Sequence, residues 1–473
     1  CAPSRACIYT GLYPHLNGVT KNGDQLDSSL NMIQKILKTN GYYTGFVGKY
    51  GQFLGTPTGF NWWATSDGDI YNDALYTING VDTAISGSII DIYPQLAKTF
   101  LNSVPEGKDF VLFYFPRAPH LPTVPRSVDS LLYIEESIPY PSNYKFYKNN
   151  YPSFYTDHKW IVDSLQIDSI KRLRFQTIKG TDDNLDSLLS WIEEKGILDS
   201  TLVVFTSDNG YLLGEHKLNE KILALEESIR LPLFIRYPKW FSSGSIITDD
   251  IASNLDFATT FLDFAGIENT FGFQGLSLHK IYTGATYRKN FLYESGYDPN
   301  TAKLRAVRTL NDIFIRSYCK TTCEEYYNLV ADPKEDSNLI FSSQYQTIIA
   351  AERILLDSLR TSYNDIIPSL KKCNLVSDGM RDYFIDNDID LPNELAVIPT
   401  LATQSFHIYF ENTKKLPAQL KVFDMVGKEI VNENMGIEYF YSQPDCGKWN
   451  NGIYNIVVNQ GRKIFSQTIV VNH

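Results

Sequence analysis

Long apolar runs are what this 473-residue chain lacks first: none reaches the length needed to cross a bilayer. Cysteine is scarce, and six residues are too few for a disulfide scaffold. Cys319 and Cys323, which bracket Lys-Thr-Thr, either pair in an oxidising compartment or stay reduced. Basic charge is in deficit. The 43 Lys and Arg face 54 Asp and Glu, a formal net charge of -11, which argues against nucleic acid or an anionic membrane surface as partner. An anionic small ligand is not excluded, because a local cationic pocket decides that. A leading Met is also missing, so any signal peptide is expected upstream of Cys1. Aromatics, by contrast, are plentiful: 31 Tyr and 27 Phe suit stacking on sugars and crowded cores equally. The length allows a full core and more than one domain.

Apolar strands alternate with amphipathic helices. Leu30, Ile33, Ile36 and Leu37 follow helical spacing, and Gly41 supplies a stop. Residues 44–47 read as a buried strand ending in Gly48-Lys49, and 110–115 as a second ending in Pro-Arg-Ala-Pro-His120. Leu185, Leu188, Leu189 and Ile192 place a helix before a third strand, 202–205, which ends in Thr-Ser-Asp208-Asn209-Gly210; residues 231–236 form a fourth. This alternation predicts an α/β fold with a mainly parallel sheet flanked by helices. Such sheets hold ligands beyond the carboxyl ends of their strands. Lys49, His120, Asp208 and Asn209 are therefore expected to converge on one site for an anionic group. Residues 126–180, rich in Tyr, Pro, Ser and Asn, read as a substrate-side excursion followed by a helix near 170–178.

The first eleven residues, Cys-Ala-Pro-Ser-Arg-Ala-Cys-Ile-Tyr-Thr-Gly, read as a reactive group mounted on a helix. Pro3 suits a first turn and Gly11 closes the segment. Cys1 then sits at a helix N-terminus, where unpaired N–H groups favour an anion, and Arg5 adds a planar fork of donors. This pattern resembles the signature of the type I sulfatases, Cys-x-Pro-Ser-Arg, four free positions, Thr-Gly. Cys1, Pro3, Ser4, Arg5, Thr10 and Gly11 fill every fixed place. The resemblance runs over residues 1–372 and implies an alkaline-phosphatase-like fold. It implies oxidation of Cys1 to formylglycine by a formylglycine-generating or anaerobic sulfatase-maturating enzyme. It further implies a divalent cation, Ca²⁺ with Mg²⁺ as the alternative, and a strand ahead of Cys1 carrying two metal-binding aspartates.

Through the same resemblance Asp208, Asn209 and the modified Cys1 are metal ligands. Two hard oxygens suit Ca²⁺ or Mg²⁺ better than zinc. Lys49, His120 and Lys221 match residues that contact sulfate, and Arg5 joins them in the catalytic set. His216 is expected as a substrate contact, and Arg117 as either pocket wall or surface. The chain departs from the commonest pattern at Gly51, where many members have a histidine. Some sulfatases of the glucosamine-6-sulfatase type share Gly-Lys-Tyr without that histidine, so the variant leans toward 6-O-sulfated amino sugars. It leaves open which group protonates the leaving alcohol. The implied chemistry is attack on sulfur by one hydroxyl of the hydrated formylglycine, with His120 or another acid protonating the leaving oxygen. The second hydroxyl then loses its proton, the aldehyde re-forms and sulfate departs. A serine has no second hydroxyl for that release.

Four regions follow: a catalytic α/β domain at 1–270, lacking its amino-terminal strand, a smaller α+β subdomain at 271–372, an acidic linker at 373–395 and a β-sandwich at 396–473. In the subdomain, strands are expected at 305–308 and 326–329 and a helix from about 344 to 363. The sandwich is read from alternating segments at 406–410, 420–423, 454–458 and 468–471. Its pieces Lys421–Lys428, Asn451–Tyr454 and Ile469–Val471 resemble the sorting domain of the Bacteroidetes type IX secretion system; a plain carbohydrate-binding or immunoglobulin-like module is the other reading. The first implies a protein secreted by, or displayed on, a Gram-negative cell, with the secretion machinery as partner. The expected function is a sulfatase acting on a sulfated carbohydrate. Its rivals are a phosphonate or phosphodiester hydrolase of the same superfamily and a surface glycan-binding protein that has lost catalysis.

Overall fold

Strand β1 (Tyr43–Gly48) lies inside the main sheet, and its side chains show why. Phe46 joins one apolar cluster and Val47 another, the period-two alternation of a strand buried on both faces. β2 (Trp62–Ser66) pairs with β1 in parallel, and β3 (Leu75–Ile78) and β4 (Val81–Ala84) extend that side antiparallel. β5 (Phe110–Phe115) pairs in parallel on the other side. The computed structural model describes residues 1–51, 56–66, 70–144, 164–295, 303–318 and 323–367, and in the tail 395–398, 401–402, 407–411, 418–424, 427–435, 439–442, 446–460 and 463–471. It divides into two compact units near residue 374. Of the expected linker at 373–395 all but Leu395, which begins a strand, falls outside the described residues, as does Cys319 of the Cys319–Cys323 pairing.

In the first unit, α1 (Ala2–Thr10) and α3 (Ile33–Thr39) pack on the Phe46 face, with the short α2 (Pro14–Asn17) between them in sequence. α4 (Ile89–Ser103) and α5 (Ser164–Glu194) cover the Val47 face. The two helices expected near 170–178 and 185–192 are one 31-residue helix, α5. Gly180 does not break it, because it is a packing residue: a Cβ there would meet Arg126 Nε at 2.7 Å and Ile90 Cγ2 at 3.0 Å. Close approach to α4 outweighs the helix penalty of about 1 kcal/mol for glycine.

β6 (Val203–Thr206) runs into a small hairpin, β7 (Leu212–Leu213) with β8 (Asn219–Glu220). A single turn, α6 (Glu226–Ile229), leads to β9 (Leu233–Arg236). β6 and β9 pair antiparallel with each other, so the α/β architecture carries mixed rather than uniformly parallel pairing. The reason lies in the connection, which holds no crossover helix of the kind parallel neighbours need. α7 (Asp256–Phe264) and α8 (Leu278–Tyr282) return to the Phe46 cluster.

β10 (Asn290–Ser295), β11 (Lys303–Thr309), β12 (Asp312–Tyr318) and β13 (Cys323–Asn328) make an antiparallel sheet. α9 (Gln346–Ser362) packs Ile349 and Leu356 against Val307, Phe314 and Tyr326. The same cluster takes in Cys7 and Tyr13, so this sheet supports the helix that begins at Cys1.

The second unit is all β. β14 (Leu395–Ile398), β16 (His407–Glu411) and β19 (Tyr439–Ser442) form one sheet. β15 (Leu401–Ala402), β17 (Ala418–Asp424), β18 (Glu429–Met435), β20 (Gly452–Gln460) and β21 (Lys463–Val471) form another. Leu420, Val422, Ile456, Val458 and Ile469 alternate into its core.

Candidate active site

Cys1 is the N-cap of α1, Pro3 lies in the first turn, and Gly11 ends the helix at φ 59. The Ala2 N–H donates to Asn22 Oδ1 at 3.0 Å, and Asn254 Nδ2 donates to Ser4 Oγ at 2.9 Å. Thr10 Oγ1 donates back to the Ala6 carbonyl at 2.7 Å. These contacts hold the helix end rigidly enough to present one side chain. Asn22 and Asn254 carried no signal in the sequence, since nothing local marks a capping partner so far along the chain.

The Cys1 thiol donates to Asn209 Oδ1 at 3.1 Å, and Lys221 Nζ donates to Cys1 Sγ at 3.4 Å. Arg5 Nη1 pairs with Asp208 Oδ2 at 2.5 Å. Burial works to raise the Asp208 carboxyl, but the charges of Arg5, the Cys1 amino group, Lys221 and Lys49 together outweigh it and hold the group below the usual carboxylate range. Cys1, Lys49, His120, Asp208, Asn209 and Lys221 all line one cavity of about 1290 Å³. Each arrives from a strand or helix end: Lys49 from β1, His120 from β5, Asp208 and Asn209 from β6. The backbone N–H of Lys49 is fixed on the Phe115 carbonyl at 2.8 Å.

The Tyr71 hydroxyl donates to the His120 carbonyl at 2.5 Å, and the imidazole Nδ1 lies 2.8 Å from the Leu121 carbonyl. A carbonyl only accepts, so Nδ1 carries the proton and Nε2 is the nitrogen that gains and loses one. Gly51 has φ +65, and a Cβ there would sit 3.2 Å from Arg5 Nη2. The departure at position 51 therefore leaves room for the guanidinium that pairs with Asp208.

Asp208 and Asn209 supply oxygens of the class that Ca²⁺ and Mg²⁺ take. They fit as part of a set: calcium takes about six to eight oxygens, and the single carboxylate here already faces three basic side chains.

Three expected site residues do not line the cavity; of these, Arg5 acts on it through its pair with Asp208, and His216 and Arg117 point elsewhere. His216 is 1% exposed and groups with Glu227 and Glu335, the ligand-type atoms of all three lying within 4.8 Å of one another. Burial pushes its imidazole down to about 3. Arg117 is 5% exposed and bonds the Tyr93 hydroxyl, so it is a core residue rather than pocket wall or surface. Spacing from His120 told nothing about which way its side chain turns. Sequence reasoning also missed the Arg308 fork on Glu226, at 2.9 and 3.0 Å, which ties α6 to β11 beside the cavity.

Residues 1–267 match the Sulfatase family. The chain belongs to the sulfatase family. Within this sulfatase, residues 214–362 match the C-terminal family of N-sulphoglucosamine sulphohydrolase, and 396–472 match the secretion system C-terminal sorting domain. It is similar to the N-acetylglucosamine-6-O-sulfatase of Bacteroides thetaiotaomicron, 29% identical over 457 residues, covering 80% of this chain and 81% of that one. The human N-acetylglucosamine-6-sulfatase is 27% identical over 410 residues, 72% of this chain and 73% of that one. A solved structure of a protein in complex with its substrate D-glucosamine-2-N,6-O-disulfate is 27% identical, with a TM-score of 0.73 over 78% of this chain and 89% of that one. The sorting domain marks the sulfatase for export. Among the described residues no helix is long and apolar enough to cross a membrane.

Proposed function

We propose that this sulfatase removes a 6-O-sulfate from a glucosamine-type residue of a sulfated glycan, with Cys1 converted to formylglycine as the nucleophile. The observation that carries the reading is the position of Cys1 Sγ, at a helix N-terminus and within reach of Asn209 and Lys221. The names borne by similar proteins supply the sugar and the sulfate position.

Lys49, Lys221 and the helix N-terminus would bind the three non-bridging sulfate oxygens, turning sulfur toward residue 1. Arg5 keeps Asp208 ionised and oriented. A Ca²⁺ or Mg²⁺ held by Asp208 and Asn209 would offset the charge of the sulfate ester. As the bond from sulfur to the sugar oxygen breaks, its electron pair stays on that oxygen, and a protonated His120 Nε2 gives it a proton. Wherever substrate displaces water from the site, each of these electrostatic contacts is worth more than it would be in bulk water.

Turnover of N-acetylglucosamine-6-sulfate should be compared with that of galactose-6-sulfate and an aryl phosphodiester. Preference for the first supports the proposal. Hydrolysis of the phosphodiester alone would favour the phosphonate or phosphodiester reading, and galactose preference would keep the reaction but change the sugar.

A further inference from the structure

Behind the Asp208–Asn209 loop the structure gathers more negative charge than its basic residues offset. Glu335 is 0% exposed; its Oε2 accepts the Glu226 N–H at 2.8 Å, while Oε1 has no hydrogen-bond partner. Glu227 Oε2 is likewise buried and unpaired. Burial and then the nearby carboxylates Glu226, Glu227 and Glu325 push the Glu335 carboxyl far up. Burial, with Glu215 and Glu226 adding to it, pushes Glu227 up to about 7. Arg308 neutralises Glu226 and Lys334 offsets only part of the charge on Glu227, whose carboxyl stays raised, which leaves Glu227 and Glu335 to be accounted for. Buried carboxylates with vacant lone pairs take up either protons or a cation.

The third member of the group selects between those outcomes. His216 is held neutral by its burial, and neutral imidazole is the ligating form. One imidazole and two carboxylates carry a formal charge that matches a dication. A nitrogen with two carboxylate oxygens is a zinc-class donor set, whereas calcium and magnesium keep to oxygen. Ligand atoms about a tetrahedral zinc lie about 3.3 Å apart, and the three ligand atoms here lie within 4.8 Å of one another, so side-chain adjustment of at most about 1.5 Å per pair would close them on an ion.

We propose that His216, Glu227 and Glu335 form a second, structural site for a zinc-class divalent cation, separate from the Asp208–Asn209 centre. Its place in the fold says what it does. His216 follows the loop from β6, Glu227 belongs to α6, and Glu335 comes from the turn after β13. The Gly210 and Tyr211 N–H groups already donate to the Ser228 and Glu227 carbonyls, at 2.9 and 2.8 Å. An ion here clamps the segment that presents Asp208, Asn209 and Lys221 onto the C-terminal sheet.

The test uses the full chain loaded with Zn²⁺ alone and then desalted, with metal per chain read by mass spectrometry. Asp208→Ala removes the first centre and should still retain zinc in near-stoichiometric amount. Adding Glu335→Gln, which keeps the side chain's shape, should abolish that retention. Should the double variant fail to fold, Asp208→Ala decides alone, through visible ligand-field bands with Co²⁺ and a rise in Tm with Zn²⁺. Failure of Asp208→Ala to retain zinc, or equal retention in the folded double variant, would overturn the site and leave the two glutamates as protonated acids. Neither result bears on which sulfate ester the enzyme hydrolyses.

Discussion

Replacing Asp365 with Asn should loosen the joint between β11 and the end of α9. The Asp365 side chain is 0% exposed and accepts from Arg305 Nε at 2.7 Å, Arg305 Nη2 at 2.8 Å and Arg360 Nε at 3.0 Å. The amide keeps the shape and removes the charge, leaving two guanidinium groups without it. Breaking one side of a buried pair costs about 3–5 kcal/mol. Glu294, 3.7 Å from Arg305 Nη2, stays to offset part of that, so the low end, ~3 kcal/mol, is expected. In a unit this large each kcal/mol moves Tm by about 2 °C, which gives a fall of ~6 °C in a circular-dichroism melt at neutral pH. Burial works to raise the Asp365 carboxyl, but the bonds and charge of Arg305 and Arg360 outweigh it, so its folded pKa is lowered. Its contribution is therefore present above the unfolded carboxylate pKa and is lost as pH falls through the folded one. The gap between wild type and variant should narrow on acidification. A Tm within about 1 °C of wild type at neutral pH, or a gap that widens in acid, would refute the reasoning.

Gly51→Ala should cost about 1–2 kcal/mol, because its left-handed backbone disfavours a Cβ, and should lower kcat/KM through pressure on Arg5; a melt and a rate assay check both. Lys221→Met should reduce kcat/KM by about 10²-fold with little change in Tm, so an equal loss of stability would assign it a structural role instead. Ending the chain after Pro392 should leave catalysis in a lysate unchanged and keep the protein inside its own host. Normal arrival of that shorter form in the medium would remove the tail's role in export.

What the sequence made legible were the elements with strong period. β1, β5, β6 and the tail strands β16, β17, β20 and β21 each show an apolar or alternating run, and α1 is framed by Pro3 and Gly11. The convergence of Lys49, His120, Asp208 and Asn209 follows from strand ends alone. β3 and β4 escape a pattern reading because their polar and exposed positions give no clear alternation, and β2 because it is a short buried run with no alternation at all. The sequence shows α5 only as two separate helical stretches, near 170–178 and 185–192, because what carries the helix through Gly180 is tertiary contact with Arg126 and Ile90. His216 was assigned to substrate by resemblance. Its partners Glu227 and Glu335 come from other segments, and only the fold brings them together. Arg117 had the same fate, because direction at a strand end is set by the neighbours it packs against.

Mass spectrometry of the native enzyme would show whether Cys1 is the precursor of the nucleophile. Peptides containing residue 1 should carry formylglycine in place of cysteine, in a fraction that tracks sulfate release from one preparation to another. Folded Cys1→Ser protein should then show no sustained turnover, for want of the second hydroxyl. Full multiple turnover by protein whose Cys1 is wholly unmodified, or by the serine variant, would contradict the account.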